Sequence, residues 1–173
     1  MFDLGRRGRT RAPLIDPVAV ARVDRIVEDS TGYARAIVRG GPVTAGPLAA
    51  GAFYRPSLIE VDDIHAPIIQ QEVFGPVATF EIFDDEADAV SRANATEFGL
   101  AAAVFTQDVD RARRVSRQIS AGTVWTNTWL AINPGFEDGG YKQSGIGRLR
   151  GPRGLAEFQE IKTYVHLVPP AGD

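Results

Sequence analysis

Val77-Ala-Thr-Phe-Glu-Ile-Phe83, Asp84 to Asn94 (DDEADAVSRAN), Leu100-Ala-Ala-Ala-Val-Phe105, Asp108 to Ile119 (DVDRARRVSRQI) and Thr123-Val-Trp-Thr-Asn127 follow one another with short gaps. The first and third runs predict strands, and the unbroken apolar character of Leu100–Phe105 predicts one covered on both faces. Asp84 supplies an N-cap acceptor for a helix to about Asn94, with Ala87, Val90 and Ala93 on one face. Asp108 opens a second helix, its Val109, Ala112, Val115 and Ile119 inward and its Arg111, Arg114 and Arg117 outward. Gly122 closes that helix, and Thr123–Asn127 is the next strand. Strands alternating with helices of this length predict βαβ units with right-handed crossovers. The fold class is therefore α/β, with a mostly parallel sheet.

Upstream, Asp16-Pro17 is a helix start, because the aspartate can accept from the first turn and proline needs no N–H there. Val20, Val23, Ile26 and Val27 recur at helical spacing up to a stop near Gly32. Ala34–Val38 predicts a short strand and Gly46–Gly51 a loop. Ala52–Val61 predicts another strand, placed at a sheet edge by Pro56. Downstream come a glycine-rich loop over Gly139–Gly151, a short helix near Gly154–Phe158 and a last strand over Lys162–Val168. Residues 1–12 read as an irregular basic tail, 13–168 as one domain and 169–173 as a second tail. Arg6-Arg7 suggests an export signal, but two prolines and an aspartate break the apolar segment that would have to follow. A solvated terminus is preferred over an arginine-rich arm for nucleic acid.

The chain has 173 residues, 44% of them apolar and 24% charged, values of a globular domain. Lys and Arg number 19 against 22 Asp and Glu, a net charge of -3. That balance gives no support to a nucleic-acid or membrane partner. No apolar run approaches the ~18 residues of a membrane span. There is no cysteine. Disulfides, thiolate metal sites and thiol nucleophiles are thereby excluded for these residues on their own. His65 and His166 are far apart in the sequence, so no metal ligands are nominated. Gly145-Ile146-Gly147 followed by Gly151 approaches a dinucleotide fingerprint, but its spacing is off and it follows a loop rather than a strand.

Five segments carry a resemblance. They are Glu72-Val73-Phe74-Gly75-Pro76-Val77, Ala93-Asn94 through Phe98-Gly99-Leu100 to Thr106, Ala121 to Asn127, Gly139-Gly140-Tyr141-Lys142-Gln143-Ser144-Gly145, and Ile161-Lys162-Thr163. In their order and spacing they resemble the C-terminal third of an aldehyde dehydrogenase, from about Pro13 to Val168. The resemblance implies a partial catalytic domain ending in an oligomerisation strand. It also implies that the family's nucleotide-binding domain, catalytic cysteine and general-base glutamate lie upstream of anything matched here. In the family that thiolate attacks the aldehyde, hydride passes to the nicotinamide, and water releases the acid; a thiolate suits this as both nucleophile and leaving group.

By the same resemblance Glu72 hydrogen-bonds the nicotinamide ribose, where a carboxylate can accept from two hydroxyls. Phe74 walls the nicotinamide ring or, equally, packs in the core before the Gly75-Pro76 turn. Leu100 is read as a buried strand residue, although it could touch the same cofactor end. Asn127, Trp129 and Ile132 fall on the aldehyde tunnel, Trp129 foremost. Tyr141 and Lys142 are read as turn residues supporting the sheet and subunit contacts, and Lys142 not as a reactive lysine. Many relatives have Pro-Phe where this chain has Glu137-Asp138. Asp138 puts a carboxylate on an apolar wall, which selects a polar or cationic aldehyde or else reflects drift in a chain released from turnover.

The expected function is that of an aldehyde dehydrogenase family protein using NAD or NADP. The chain is expected to be truncated, inactive alone and cytoplasmic. Its expected partners are further copies of itself or a complementary aldehyde dehydrogenase subunit. The rival readings are the small subunit of a split enzyme, a non-catalytic oligomerisation module and a gene product without a role.

Overall fold

The computed structural model describes residues 12–167, so the expectations placed on the N-terminal arginines and on residues 168–173 lie outside the described residues. The chain forms two units, divided after Thr96.

The first unit begins with α1, Pro17–Ser30, and its start follows the sequence signal: the Asp16 carboxylate accepts the Ala19 N–H at 2.7 Å. Val23 and Val27 of α1 are fully buried. Strands β1 (Arg35–Val38), β2 (Gly41–Pro42), β3 (Tyr54–Arg55) and β4 (Ser57–Glu60) follow. Next come the one-turn helix α2 (Pro67–Gln70), β5 (Val77–Phe80) and α3 (Glu86–Ala93). The sheet order is β1-β4-β5, with β1 antiparallel and β5 parallel to β4. β4, α2 and β5 thus make one crossover unit. Ile59 and Val61 pack with Val27, Ala66 and Ile68 to form the core. A polar tie fixes α1 to the β2–β3 hairpin: Arg39 donates to Asp24 at 2.8 Å, to Glu28 at 3.1 Å and to the Tyr54 hydroxyl at 3.0 Å. The bond to Asp24 holds the guanidinium above its ordinary pKa.

Three expectations need correction here. Ala52–Val61 is two strands in different sheets, and its second half is central rather than at an edge. Pro56 falls between the two, where no ladder N–H is required, so its constraint ends one strand without weakening the next. The strand from Val77 stops at Phe80, opposite Glu60, because β4 offers no partner beyond that point; Ile82 and Phe83 are exposed. The cap of α3 is Asp85, which accepts from the Asp88 N–H, one residue later than expected.

The second unit contains β6 (Phe98–Gly99), β7 (Ala101–Val104), α4 (Val109–Gln118), β8 (Thr123–Thr126), β9 (Tyr141–Lys142) and α5 (Gly151–Ala156). β7 and β8 run parallel, with Ala101 opposite Thr123 and Val104 opposite Thr126, and α4 is their crossover helix. β6 pairs antiparallel with β9, so Tyr141 and Lys142 lie in a short strand rather than in the turn read from the sequence. The α/β class holds, but the sheets are mixed rather than mostly parallel: β4–β5 and β7–β8 are the parallel crossover units, while β1–β4, β2–β3 and β6–β9 pair antiparallel. β7 is only half-buried, and Leu100 and Phe105 at its ends are 58% and 69% exposed, so one face lacks the cover expected of a central strand. Val109 is likewise exposed, and Ala112 is the buried anchor of α4.

α5 starts and ends earlier than expected, and Ile161–Leu167 forms no strand. A strand exists only as part of a ladder. No partner reaches this segment among the described residues, and Ile161, Tyr164, Val165 and Leu167 stand in solvent. His166, on the same segment, is exposed.

The Asp108 carboxylate accepts the N–H groups of both Asp110 and Arg111, which caps α4 and holds the carboxyl below its usual range. A carboxyl depressed in the folded state stabilises above its ordinary pKa of about 3.9 and loses that contribution as pH falls through the folded value. Asp108→Ala should therefore lower the urea midpoint at pH 7, and the gap to the parent chain should narrow at pH 3. Tryptophan fluorescence reads both, and an unchanged gap at the two pH values would refute the charge-dependent part.

Candidate functional site

In the second unit the chain leaves β8 through two left-handed residues, Asn127 (φ 53) and Leu130 (φ 57). Such a conformation is costly for a bulky side chain such as leucine, by about 1–3 kcal/mol, and persists only where surroundings fix it. Here it folds the loop back, so that Trp129 meets Trp125 edge-on with ring centroids 4.9 Å apart. The Trp125 indole donates to the Ala131 carbonyl at 2.8 Å, locking the fold-back. The result is a cavity of about 490 Å³ whose walls include Trp125, Trp129, Ile132 and Phe136, with Asp138 and Arg150 also at its edge. That size suits a small organic ligand, and the aromatic lining with a few polar groups is typical of such sites.

Asp138 is not the unpartnered carboxylate that the sequence suggested. Its Oδ1 accepts from the Thr123 hydroxyl at 3.3 Å, and its Oδ2 lies 3.4 Å from Arg150 Nη1. Its main chain exchanges two hydrogen bonds with Leu149, at 2.8 and 2.7 Å, which sets residue 150 beside it. Glu137 accepts from the Arg153 N–H at 3.2 Å. Its own N–H and that of Arg153 hold its carboxyl below the usual range.

The structure brings Trp129, Ile132 and Asp138 together and leaves Asn127 out. The Asn127 amide accepts from the Thr106 N–H and donates to the Thr106 carbonyl, both at 2.8 Å. It clasps the ends of β7 and β8 and does not line this cavity. Trp125, Phe136 and Arg150 line it without having been singled out. Trp125 was findable as a bulky residue in a short strand; for Arg150 the only signal was a charge opposite to that of Asp138 on the far side of the glycine-rich loop.

In the first unit, Glu72 and Phe74 precede the Gly75-Pro76 turn. Glu72 is exposed, and no hydrogen bond engages its carboxylate among the described residues. Phe74 is 75% exposed at φ 49, so it does not pack in the core. The turn behind it is tight: a Cβ at Gly75 would lie 2.6 Å from a Val23 methyl. Arg22 donates to the Phe74 carbonyl at 3.4 Å. A free carboxylate next to a projecting aromatic ring suits the sugar hydroxyls and flat ring of a nicotinamide riboside. No group of three or more His, Asp or Glu side chains that could hold a metal ion occurs among the described residues. No helix among them is long and apolar enough to cross a membrane.

The family model described as "Aldehyde dehydrogenase family" matches residues 5–164. The chain belongs to the aldehyde dehydrogenase family. Among solved structures it is similar to betaine aldehyde dehydrogenase of Staphylococcus aureus in complex with NAD+. There the identity is 36%, the TM-score is 0.82, and the match covers 93% of this chain and 33% of that one. It is also similar to an aldehyde dehydrogenase of Mycobacterium tuberculosis complexed with NAD+, at 38% identity and TM-score 0.78, over 85% of this chain and 30% of that one. The chain thus spans about one third of the length of these aldehyde dehydrogenases.

Proposed function

We propose that these residues form the C-terminal third of an aldehyde dehydrogenase catalytic domain and supply one wall of an aldehyde-oxidising site that further polypeptide completes. The observation that carries this reading is a family match over residues 5–164 in a sequence without cysteine. The family's chemistry needs a thiolate, and a serine or threonine is a poor substitute without a positioned base. The thiol and the nucleotide-binding region therefore come from polypeptide outside these 173 residues, in the same chain or in a complementary subunit.

NAD or NADP would accept the hydride. Glu72 would receive the ribose hydroxyls, and Phe74 would flank the nicotinamide. Trp129 and Ile132 would hold the aldehyde's hydrocarbon part, with Asp138 at its polar end. The solved relatives with NAD+ bound support this cofactor class.

The test is spectrophotometric. The 173-residue chain mixed with NAD or NADP and a panel of aldehydes should give no absorbance change at the reduced-nicotinamide wavelength. Co-expression with a polypeptide carrying the family's first two thirds should give a stable complex that turns over. Activity of the chain by itself would overturn the proposal, and so would failure of the two parts to co-purify.

The exposed Ile161–Leu167 segment favours a second reading, in which the chain assembles with further copies of itself through an added strand. An open backbone with alternating apolar side chains invites such pairing. A monodisperse monomer in native mass measurement would refute it.

A further inference from the structure

Three charged side chains border the indole-lined cavity of the second unit: Glu137, Asp138 and Arg150. Glu137 is engaged by the Arg153 main chain. The other two form a pair that neither partner saturates. A guanidinium carries five N–H donors, and among the described residues the one side-chain contact Arg150 makes is the 3.4 Å contact to Asp138. Asp138 adds to this only the 3.3 Å hydrogen bond from Thr123. Both side chains are roughly two-fifths exposed, so spare donors and lone pairs remain open to a ligand.

The backbone beneath the pair is nonetheless fixed. Arg150 sits at φ 60, ψ -178, a region normally kept for glycine. It is held there by the reciprocal Asp138–Leu149 bonds and by the Gly151 N–H donating to the Pro134 carbonyl at 3.3 Å.

We infer that the Arg150–Asp138 pair reads a zwitterionic head group, an ammonium and a carboxylate on one carbon, so that the aldehyde served by this cavity is an ω-oxo-α-amino acid. The inference deepens the proposed function and rests on the cavity's being part of the aldehyde site. A ligand with a carboxylate alone would satisfy Arg150 but face Asp138 and Glu137. A ligand with an ammonium alone would satisfy Asp138 but face Arg150. A head bearing both charges gives each side chain its complement, with charge-assisted hydrogen bonds to Arg150 in particular. The hydrocarbon between head and aldehyde then lies against Trp129 and Ile132.

Binding can be read without turnover, because both tryptophans of the chain line the cavity. Tryptophan fluorescence of the 173-residue chain would be titrated with four six-carbon probes: norleucine, hexanoate, hexylammonium and 1-hexanol. Norleucine should bind at least ten-fold more tightly than either singly charged probe. Arg150→Gln and Asp138→Asn should each remove at least five-fold of that preference while leaving the tryptophan emission of the ligand-free chain at the parent's wavelength, which shows that the variants are folded. Equal binding of hexanoate or hexylammonium, or a preference that survives both substitutions, would overturn the inference while the aldehyde-site reading stands on its own turnover assay. Quenching by none of the probes would overturn it as well.

Discussion

Gly122→Ala should unfold the second unit outright, with the chain's tryptophan emission already at its denatured wavelength in buffer without urea. A Cβ built on Gly122 would lie 1.6 Å from the Gly139 carbonyl oxygen and 2.7 Å from its carbon. Those are main-chain atoms, so no side-chain rotation relieves the clash. The opposing backbone cannot retreat either. A Cβ on Gly139 would meet the Gly147 carbonyl at 2.6 Å, and one on Gly140 would meet the main chain of Ser144 at 2.6 Å, so that strip is wedged between two others. Gly122 itself is tied by its N–H to the Gly99 carbonyl at 3.0 Å. The expected cost exceeds about 4 kcal/mol, the upper end for single substitutions and a large part of a domain's whole stability. Gly147→Ala is the control, because the nearest atoms to its added Cβ are 3.8 Å away in the Glu157 carboxylate. That variant should keep the parent's emission spectrum. A folded Gly122→Ala chain would show that the strip carrying Asp138 is not locked in place as described.

Gly122 also marks where the sequence stops being readable. From its position after α4 it reads as a helix terminator, which is a local role. Its close approach to Gly139 is a contact between segments far apart in sequence, and no propensity reports it. The same division runs through the rest of the chain. Asp16 and Asp108 are legible as caps because the acceptor and the donors it satisfies lie within three residues. The two crossover units are legible because strand and helix periods differ. Pro56 misleads because proline constrains one residue, whereas edge or centre is decided by which distant strand arrives alongside. Asn127 stands two residues from Trp129, but its amide matches the main-chain pair of Thr106 across the sheet, a partner that its neighbours in sequence do not reveal. The expected last strand fails because Lys162–Leu167 has a strand-like sequence and no partner, and a strand without a ladder has no hydrogen bonds to hold it.

Ile59→Ala should cost the first unit about 3 kcal/mol, from the lost transfer free energy and the cavity left behind. Ile59 is fully buried in the middle strand, opposite Ala36 on one side and Thr79 on the other, and it shares the core with Val27, Val61, Ala66 and Ile68. Strands on both sides and a packed layer above leave little room for collapse, so most of the cavity contribution is retained. Ile59→Val, which removes one methylene, should cost about 1 kcal/mol. Ile37→Ala should cost much less than Ile59→Ala, since Ile37 is 43% exposed on β1. Far-UV circular dichroism in urea would order the three midpoints. The consequence reaches the candidate cofactor residues. The Ser57 N–H of the same strand donates to the Pro76 carbonyl at 3.0 Å, and Gly75 abuts Val23, so β4 and α1 together hold the turn that projects Phe74. Hydrogen exchange at Ser57 should therefore speed up along with that of β4 in Ile59→Ala. Rapid exchange at Ser57 in the parent chain would detach the Phe74 turn from the core and remove the structural basis for its fixed projection.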